Sequence, residues 1–191
     1  MKNKFYSLFT VMFIAFNFLS CSDSVDNFDV LKEDLLGEWT MTAVNYSGTS
    51  TSTLQQGNPV EVFISGEGKN INSEMTFTDN PKRVFTSGSY ELELTATSLG
   101  FSDTETLSIN DFQEEASWSL DGNILTVDPK SRSMSYDGTI TSFLANTEAQ
   151  SFVIEELNDN FLRIRNIFNE STNQSGISIE LSMEVTMEFT R

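Results

Sequence analysis

Residues 177–190 read Ile-Ser-Ile-Glu-Leu-Ser-Met-Glu-Val-Thr-Met-Glu-Phe-Thr, and this stretch decides the fold class. Apolar side chains occupy every second position from Ile177 to Phe189, with serine, threonine or glutamate between them. This alternation predicts a β-strand with one buried and one wet face, because successive side chains of a strand point to opposite sides. The run would extend about 43 Å at ~3.3 Å per residue. Because ordinary strands have ~5–6 residues, we expect this one to bend or to carry a bulge, as barrel strands do.

Shorter runs with the same two-residue period precede this strand at residues 39–44, 60–64, 74–78 and 89–95. Two hairpins are indicated by short polar turns between apolar segments, at Asp121-Gly122-Asn123 and at Asn158-Asp159-Asn160. A third hairpin is expected at Asp137-Gly138. Sequential strands joined in this way predict an all-β fold, an antiparallel up-and-down β-barrel, since closure removes exposed strand edges. A two-sheet β-sandwich is the alternative.

The segments between these strands are interpreted from their composition. Residues 47–58 are rich in serine, threonine, glutamine and glycine, and both this segment and residues 98–114 are predicted to be loops. Within the second loop, a short strand at residues 107–109 or a helical turn near Phe112 is the alternative. Residues 30–36 predict one or two helical turns at the entrance to the domain. The carboxylates between residues 103 and 115 are expected to be solvated, and they show no calcium-loop spacing.

The N-terminus has the features of an export signal. Lys2 and Lys4 precede an apolar run of about 15 residues that ends at Leu19, short of the ~20 residues that a spanning helix needs. Cys21 follows two residues after this run and is the only cysteine in the chain. We therefore expect a signal peptide at residues 1–20, an acidic tether at 21–34 and one β-barrel domain at 35–191.

Composition narrows the classes of function. Removing the two lysines of the leader from the 11 cationic residues leaves 9 against 28 acidic ones, a net charge of −19. Such a chain repels phosphate backbones, so nucleic acid is not an expected partner. The sequence has no histidine, and acylation of Cys21 would remove its thiol. The commonest general base, metal ligand and nucleophiles are thus missing, and we expect neither an enzyme nor a metal or cofactor site.

Two motifs carry a resemblance to a known family. Phe18-Leu19-Ser20-Cys21 resembles the lipobox of bacterial lipoproteins, and Leu36-Gly37-Glu38-Trp39 resembles the Gly-x-Trp signature of the first lipocalin strand. Together they are similar to the lipocalin-like lipoproteins of Bacteroidetes. The resemblance implies lipidation at Cys21 and a place in the cell envelope, anchored to the outer membrane on its periplasmic or surface side.

The same resemblance implies that Trp39 closes one end of the barrel beneath an arginine from a late strand. Arg191 is the first candidate for that arginine and Arg165 is the second. A guanidinium over an indole contributes about 0.5–2 kcal/mol, so this role is structural.

The strand patterns also predict residues that face the barrel interior. The predicted ligand pocket consists of Met41, Met75, Phe77, Tyr90, Leu92, Leu94, Met183, Val185 and Met187. The first hypothesis is that the pocket binds a small apolar or amphipathic ligand, with residues 47–58 and 98–114 as gating loops. The alternative is a filled barrel that serves as a non-enzymatic protein-interaction or inhibitor module for another envelope protein. An internal void above about 300 Å³ would favour the first hypothesis.

Overall fold

The computed structural model describes residues 30–54, 58–137, 148–174 and 177–191, and these form one short helix and eight strands. The helix is α1 (Lys32–Leu35). The strands are β1 (Gly37–Leu54), β2 (Val60–Asp79), β3 (Lys82–Ser98), β4 (Phe101–Asp121), β5 (Ile124–Asp137), β6 (Gln150–Asn158), β7 (Phe161–Gln174) and β8 (Ile177–Thr190).

Every strand pairs antiparallel with the next in sequence, and β8 pairs with β1, so the sheet closes into a barrel. The predicted up-and-down barrel is therefore confirmed, and the sandwich alternative is excluded. Closure leaves neither β1 nor β8 with a free edge, because each has a hydrogen-bonded neighbour on both sides.

The last strand follows its sequence pattern closely. β8 pairs with β7 in unbroken register from Ile177 to Thr190. The expected irregularity lies on the neighbouring strand instead, where the register between β1 and β8 shifts between Met41 and Ala43. Thr42 at that shift donates a hydrogen bond from Oγ1 to the Glu188 carbonyl, 3.2 Å away. A bulge on β1 therefore provides local curvature that a long regular β8 does not.

Both predicted loops are wrong. β1 continues through residues 47–54, and only residues 99–100 separate β3 from β4. The serine- and threonine-rich end of β1 is held on both sides, since Ser52 pairs with Val60 of β2 and with Ile179 of β8. The acidic segment after Phe101 pairs with β3 in the same way, as shown by Thr104 opposite Thr95. Hydrogen bonding to the neighbouring strands therefore makes these segments β-strands, although their sequences do not alternate apolar and polar residues.

The remaining local predictions have different outcomes. The hairpin turns after Asp121 and Asn158 are confirmed, and so is the helical turn within residues 30–36. Beyond Asp137, the third hairpin lies outside the described residues.

Apolar side chains make up most of the buried core inside the barrel, while charged ones cover much of the outside. Fully buried members of the core include Leu35, Trp39, Leu92, Leu125, Ile154 and Leu162. On the outer face, Arg163 forms an ion pair with Glu188, its cross-strand neighbour, at 2.9 Å. Arg83 donates a 3.1 Å hydrogen bond to Glu115, which lies diagonally across from it on β4. This distribution is that of a barrel whose outer surface contacts water.

Candidate functional site

One end of the barrel is closed by α1 and the start of β1. Leu35 and Trp39 are completely buried there. The indole Nε1 of Trp39 donates a hydrogen bond to the Leu35 carbonyl at 2.9 Å, which joins the helix to the first strand. Lys32 on the same helix pairs with Asp79, 3.1 Å away at the β2–β3 turn. The described chain therefore enters the domain at the closed end.

Arg191 covers the Trp39 ring from outside. Its guanidinium carbon lies 4.0 Å from the ring centroid. Its Nη2 donates hydrogen bonds to the carbonyls of Asp34 and Leu36, both at 2.7 Å. The end of the chain is thereby attached to the helix that closes the barrel. Arg165, the second candidate, lies on the outer face between Glu155 and Glu184 instead.

A second tryptophan packs at the same end. Trp118 Nε1 donates to the Thr78 carbonyl at 2.8 Å, and its ring meets Phe77 edge to face with centroids 5.7 Å apart. Lys82 lies above the Trp118 ring, 4.9 Å from its centroid. Phe77 is therefore part of the packed base of the barrel.

Above this base the barrel encloses a cavity of about 530 Å³. Five of the nine predicted pocket residues line it, namely Met41, Met75, Tyr90, Val185 and Met187. Further apolar lining comes from Val84, Phe112, Leu125, Phe152, Ile164 and Phe189. The cavity floor is consequently almost entirely apolar, which suits the body of a small hydrophobic molecule.

Four predicted pocket residues, Phe77, Leu92, Leu94 and Met183, are buried but do not line the cavity. Glycines on adjacent strands explain two of them. A Cβ on Gly66 would lie 2.4 Å from Leu94 Cδ2, and one on Gly48 would lie 2.6 Å from Met183 Sδ. Leu94 and Met183 thus occupy the space that side chains on Gly66 and Gly48 would need. The interior is therefore filled beside Gly66 and Gly48, and the prediction that Leu94 and Met183 line a pocket is wrong for this reason.

The cavity instead lies toward β5, β6 and β7. Within the described residues, β5 pairs with β6 only from Ile124 to Val127, because β6 is the shortest strand. Pro129 on β5 and Asn166 on β7 both line the cavity beyond that paired region. The cavity borders this region of reduced pairing, where the described residues supply fewer inward side chains.

One side of the cavity is polar. Tyr46 of β1, Tyr90 of β3, Glu114 of β4 and Arg132 of β5 all line it, and together they are called the polar wall below. Glu114 and Arg132 stand opposite each other in register, and the Arg132 Nε donates to a Glu114 carboxylate oxygen. Both side chains are largely buried, with 13% and 19% of their surface exposed. Arg132 is the only cationic side chain among the described residues that line the cavity.

The two tyrosines of the polar wall are hydrogen-bonded to each other. Burial raises the pKa of the Tyr46 phenol well above its ordinary value, and the neighbouring Tyr90 raises it further. Burial also raises the pKa of Tyr90, while the hydrogen bond from Tyr46 and the charge of Arg132 oppose that shift. Both phenols are therefore neutral near pH 7, and the polar wall carries no net charge.

Glu114 was expected to belong to a solvated acidic segment, and its inward position corrects that expectation. Asp103 and Asp111 on the same strand are exposed, as expected. A signal for Glu114 exists in the sequence: it lies two residues before Ala116 and four before Trp118, both of which are buried. Extending the two-residue period back from Trp118 predicts an inward Glu114.

Metal binding finds no support in the described part of the chain. Within it, no three Asp, Glu, Cys or His side chains lie close enough together to hold an ion. Among the same residues, no helix is long and apolar enough to cross a membrane.

Comparisons with known proteins identify no family. No family model and no curated protein matches this chain. The solved structures with some likeness include two of Ail, the attachment invasion locus protein of Yersinia pestis. One of them is a complex with the heparin analogue sucrose octasulfate. The identities are 7% and 10%, with 80% of this chain and 99% of the other covered and TM-scores of 0.21.

Proposed function

We propose that this chain is a lipid-anchored protein of the cell envelope whose barrel binds a small apolar or amphipathic molecule. The observation that carries the proposal is the cavity of about 530 Å³ with its apolar floor. Its volume lies within the range of about 300–1,000 Å³ that is common for ligand sites, and it argues against a filled barrel used only for protein contacts.

The proposed anchor is the lipidated Cys21, which would hold the barrel at the outer membrane on its periplasmic or surface side. Residues 21–30 can extend at most about 36 Å at ~3.3–3.6 Å per residue. Because the described chain enters at the closed end, beside Leu35 and Trp39, that end would lie nearer the membrane. Two or more acyl chains on Cys21 would suffice for stable attachment, whereas the acidic barrel gives no attraction to anionic lipid.

Replacing Cys21 with serine is expected to abolish the anchor. The wild-type protein should partition into the detergent phase of a Triton X-114 extraction and incorporate an alkyne-labelled palmitate, because its cysteine is acylated. The Cys21→Ser protein should remain in the aqueous phase without label. Equal labelling of both proteins would refute lipidation at this position, with no consequence for the barrel.

Filling the cavity is expected to abolish ligand binding. Val185 is buried and lines the cavity, so a Val185→Trp side chain would occupy part of the empty volume. Val153 on β6 alternates with the buried Phe152 and Ile154 and does not line the cavity, which makes Val153→Trp the matched control. We expect Val185→Trp to reduce binding of the uncharged fluorescent probe N-phenyl-1-naphthylamine at least about tenfold, with little change for Val153→Trp. Circular dichroism would verify that both variants fold.

Native mass spectrometry of protein purified from its host addresses the natural ligand. A recurring bound mass that Val185→Trp removes and Val153→Trp retains would support the proposal. A consistently empty barrel, together with no probe binding, would favour the protein-interaction or inhibitor alternative.

A further inference from the structure

We infer that the polar wall selects an amphipathic ligand whose polar end is uncharged, such as a hydroxyl or carbonyl group, and disfavours a carboxylate or an ammonium. This inference rests on the proposed function, because it names the chemical class of ligand for the same cavity. The polar end would contact Tyr46, Tyr90, Glu114 and Arg132, while the apolar body would lie on the floor beside Met75 and Val185.

The first argument is charge balance. Glu114 and Arg132 neutralise each other through a direct ion pair inside the barrel, and the third charged lining residue, Glu170, is exposed on β7. An anionic ligand would lose its hydration on entry, and burial of a charge costs several kcal/mol unless an opposite charge compensates it. The attraction of a carboxylate to Arg132 would be offset by repulsion from Glu114 at nearly the same distance. An ammonium would meet the same cancellation with the signs reversed.

The second argument is the supply of hydrogen-bonding groups. Transfer of a hydroxyl or carbonyl group into an apolar site is unfavourable if the group finds no hydrogen-bond partner. The phenols of Tyr46 and Tyr90 and the Glu114–Arg132 pair offer both donors and acceptors on one side of the cavity. A neutral polar group can therefore be satisfied there, whereas the floor beside Met75 and Val185 offers it no side-chain partner.

The third argument is that the strand register places the Glu114–Arg132 pair on the inner face of the sheet. Glu114 and Arg132 occupy the same row as Thr86, which pairs with Glu114 on the other side and also lines the cavity. The adjacent Glu115 bonds Arg83 at 3.1 Å. Two neighbouring glutamates on β4 thus form two ion pairs, of which only the Glu114 pair borders the cavity.

The test compares three ligands with one ten-carbon chain: decan-1-ol, decanoate and decyltrimethylammonium. Their affinities are measured by displacement of the uncharged probe N-phenyl-1-naphthylamine at pH 7 from the full chain carrying Cys21→Ser, which requires no detergent. The wild-type barrel is expected to bind decan-1-ol at least about tenfold more tightly than either ion. A neutral preference alone is common in apolar cavities, so the decisive measurement is how charge removal changes the selectivity.

Glu114→Gln is expected to raise the affinity for decanoate at least about tenfold, because Arg132 then lacks its neutralising carboxylate. Glu115→Gln, the matched control one residue away, should leave all three affinities unchanged. Arg132→Gln should produce the mirror result, a gain for decyltrimethylammonium only. The Glu114→Gln/Arg132→Gln double variant should return to the neutral preference, and it also tests the inference if either single variant fails to fold.

The outcomes separate the inference from the function beneath it. Equal effects of Glu114→Gln and Glu115→Gln on decanoate, with decan-1-ol still bound, would overturn the inference and leave the binding function intact. Selectivity in the double variant that still favours one ion would overturn it as well. Failure of the wild-type barrel to bind any of the three ligands would overturn the proposed function itself.

Discussion

Replacing Trp39 with alanine is expected to lower the free energy of unfolding by about 3–5 kcal/mol, the usual cost of removing a buried tryptophan. The indole is fully buried, its Nε1 is bonded to the Leu35 carbonyl, and Arg191 stacks on its ring. Its removal would leave a hole beneath α1 and disconnect the helix from β1. Since small domains have a total stability of about 5–15 kcal/mol, this loss is large. Urea denaturation followed by circular dichroism would measure it.

The arginine variants test the other half of the same contact. Arg191→Ala removes the stacking on Trp39 and two hydrogen bonds to the carbonyls of Asp34 and Leu36, and we expect a cost of about 1–3 kcal/mol. Arg165→Ala is the matched control, because Arg165 forms ion pairs with Glu155 and Glu184 on the outer face. Such surface pairs contribute about 0–1 kcal/mol.

Two comparisons would contradict this account of the closed end. If Arg165→Ala costs as much as Arg191→Ala, the stacking on Trp39 has no special weight. If Trp39→Ala and Arg191→Ala destabilise additively in a double-mutant cycle, the two side chains are energetically independent despite the 4.0 Å distance between guanidinium and ring centroid.

The barrel could be predicted because its most regular strand, β8, alternates apolar and polar residues without interruption. Every apolar residue from Ile177 to Phe189 has polar neighbours, and β8 keeps one register with β7 throughout. The end of β1 could not be predicted in this way. Residues 47–54 contain serine, threonine and glycine without alternation, and pairing with β2 and β8 makes them a strand. Tertiary pairing therefore overrides a composition that is typical of loops.

The sequence predicts which side chains face the barrel interior, but it does not predict which of them line the cavity. The two-residue period assigns Met75 and Leu94 to the interior with equal strength, yet only Met75 lines empty space. The difference arises from Gly66, which leaves room that Leu94 fills, and from the short β6, which leaves room that no described side chain fills. Both causes depend on which residues become neighbours across strands, and that register is not visible in any single segment.

Gly88→Ala is expected to be the second strongly destabilising change, with a loss of at least about 3 kcal/mol. Gly88 has a φ of +136°, which an L side chain rarely adopts. A Cβ at this position would also lie 2.1 Å from the Asn72 carbonyl oxygen and 2.5 Å from the Ser73 Cα. Both are backbone atoms of the paired strand β2, so no rotamer change can relieve the contact.

Gly122→Ala is the reference substitution for a glycine of positive φ without a close contact. Gly122 has a φ of +58° in the β4–β5 turn, and a Cβ there meets nothing within 4 Å. Its substitution should therefore cost only the conformational penalty of about 1–2 kcal/mol. The excess loss in Gly88→Ala, measured under the same denaturation conditions, reports the close approach of β3 to β2 together with the larger conformational penalty at a φ of +136°. Equal losses at the two positions would mean that β2 can move away from Gly88, and that the wall beside Tyr90 is less rigid than its contacts imply.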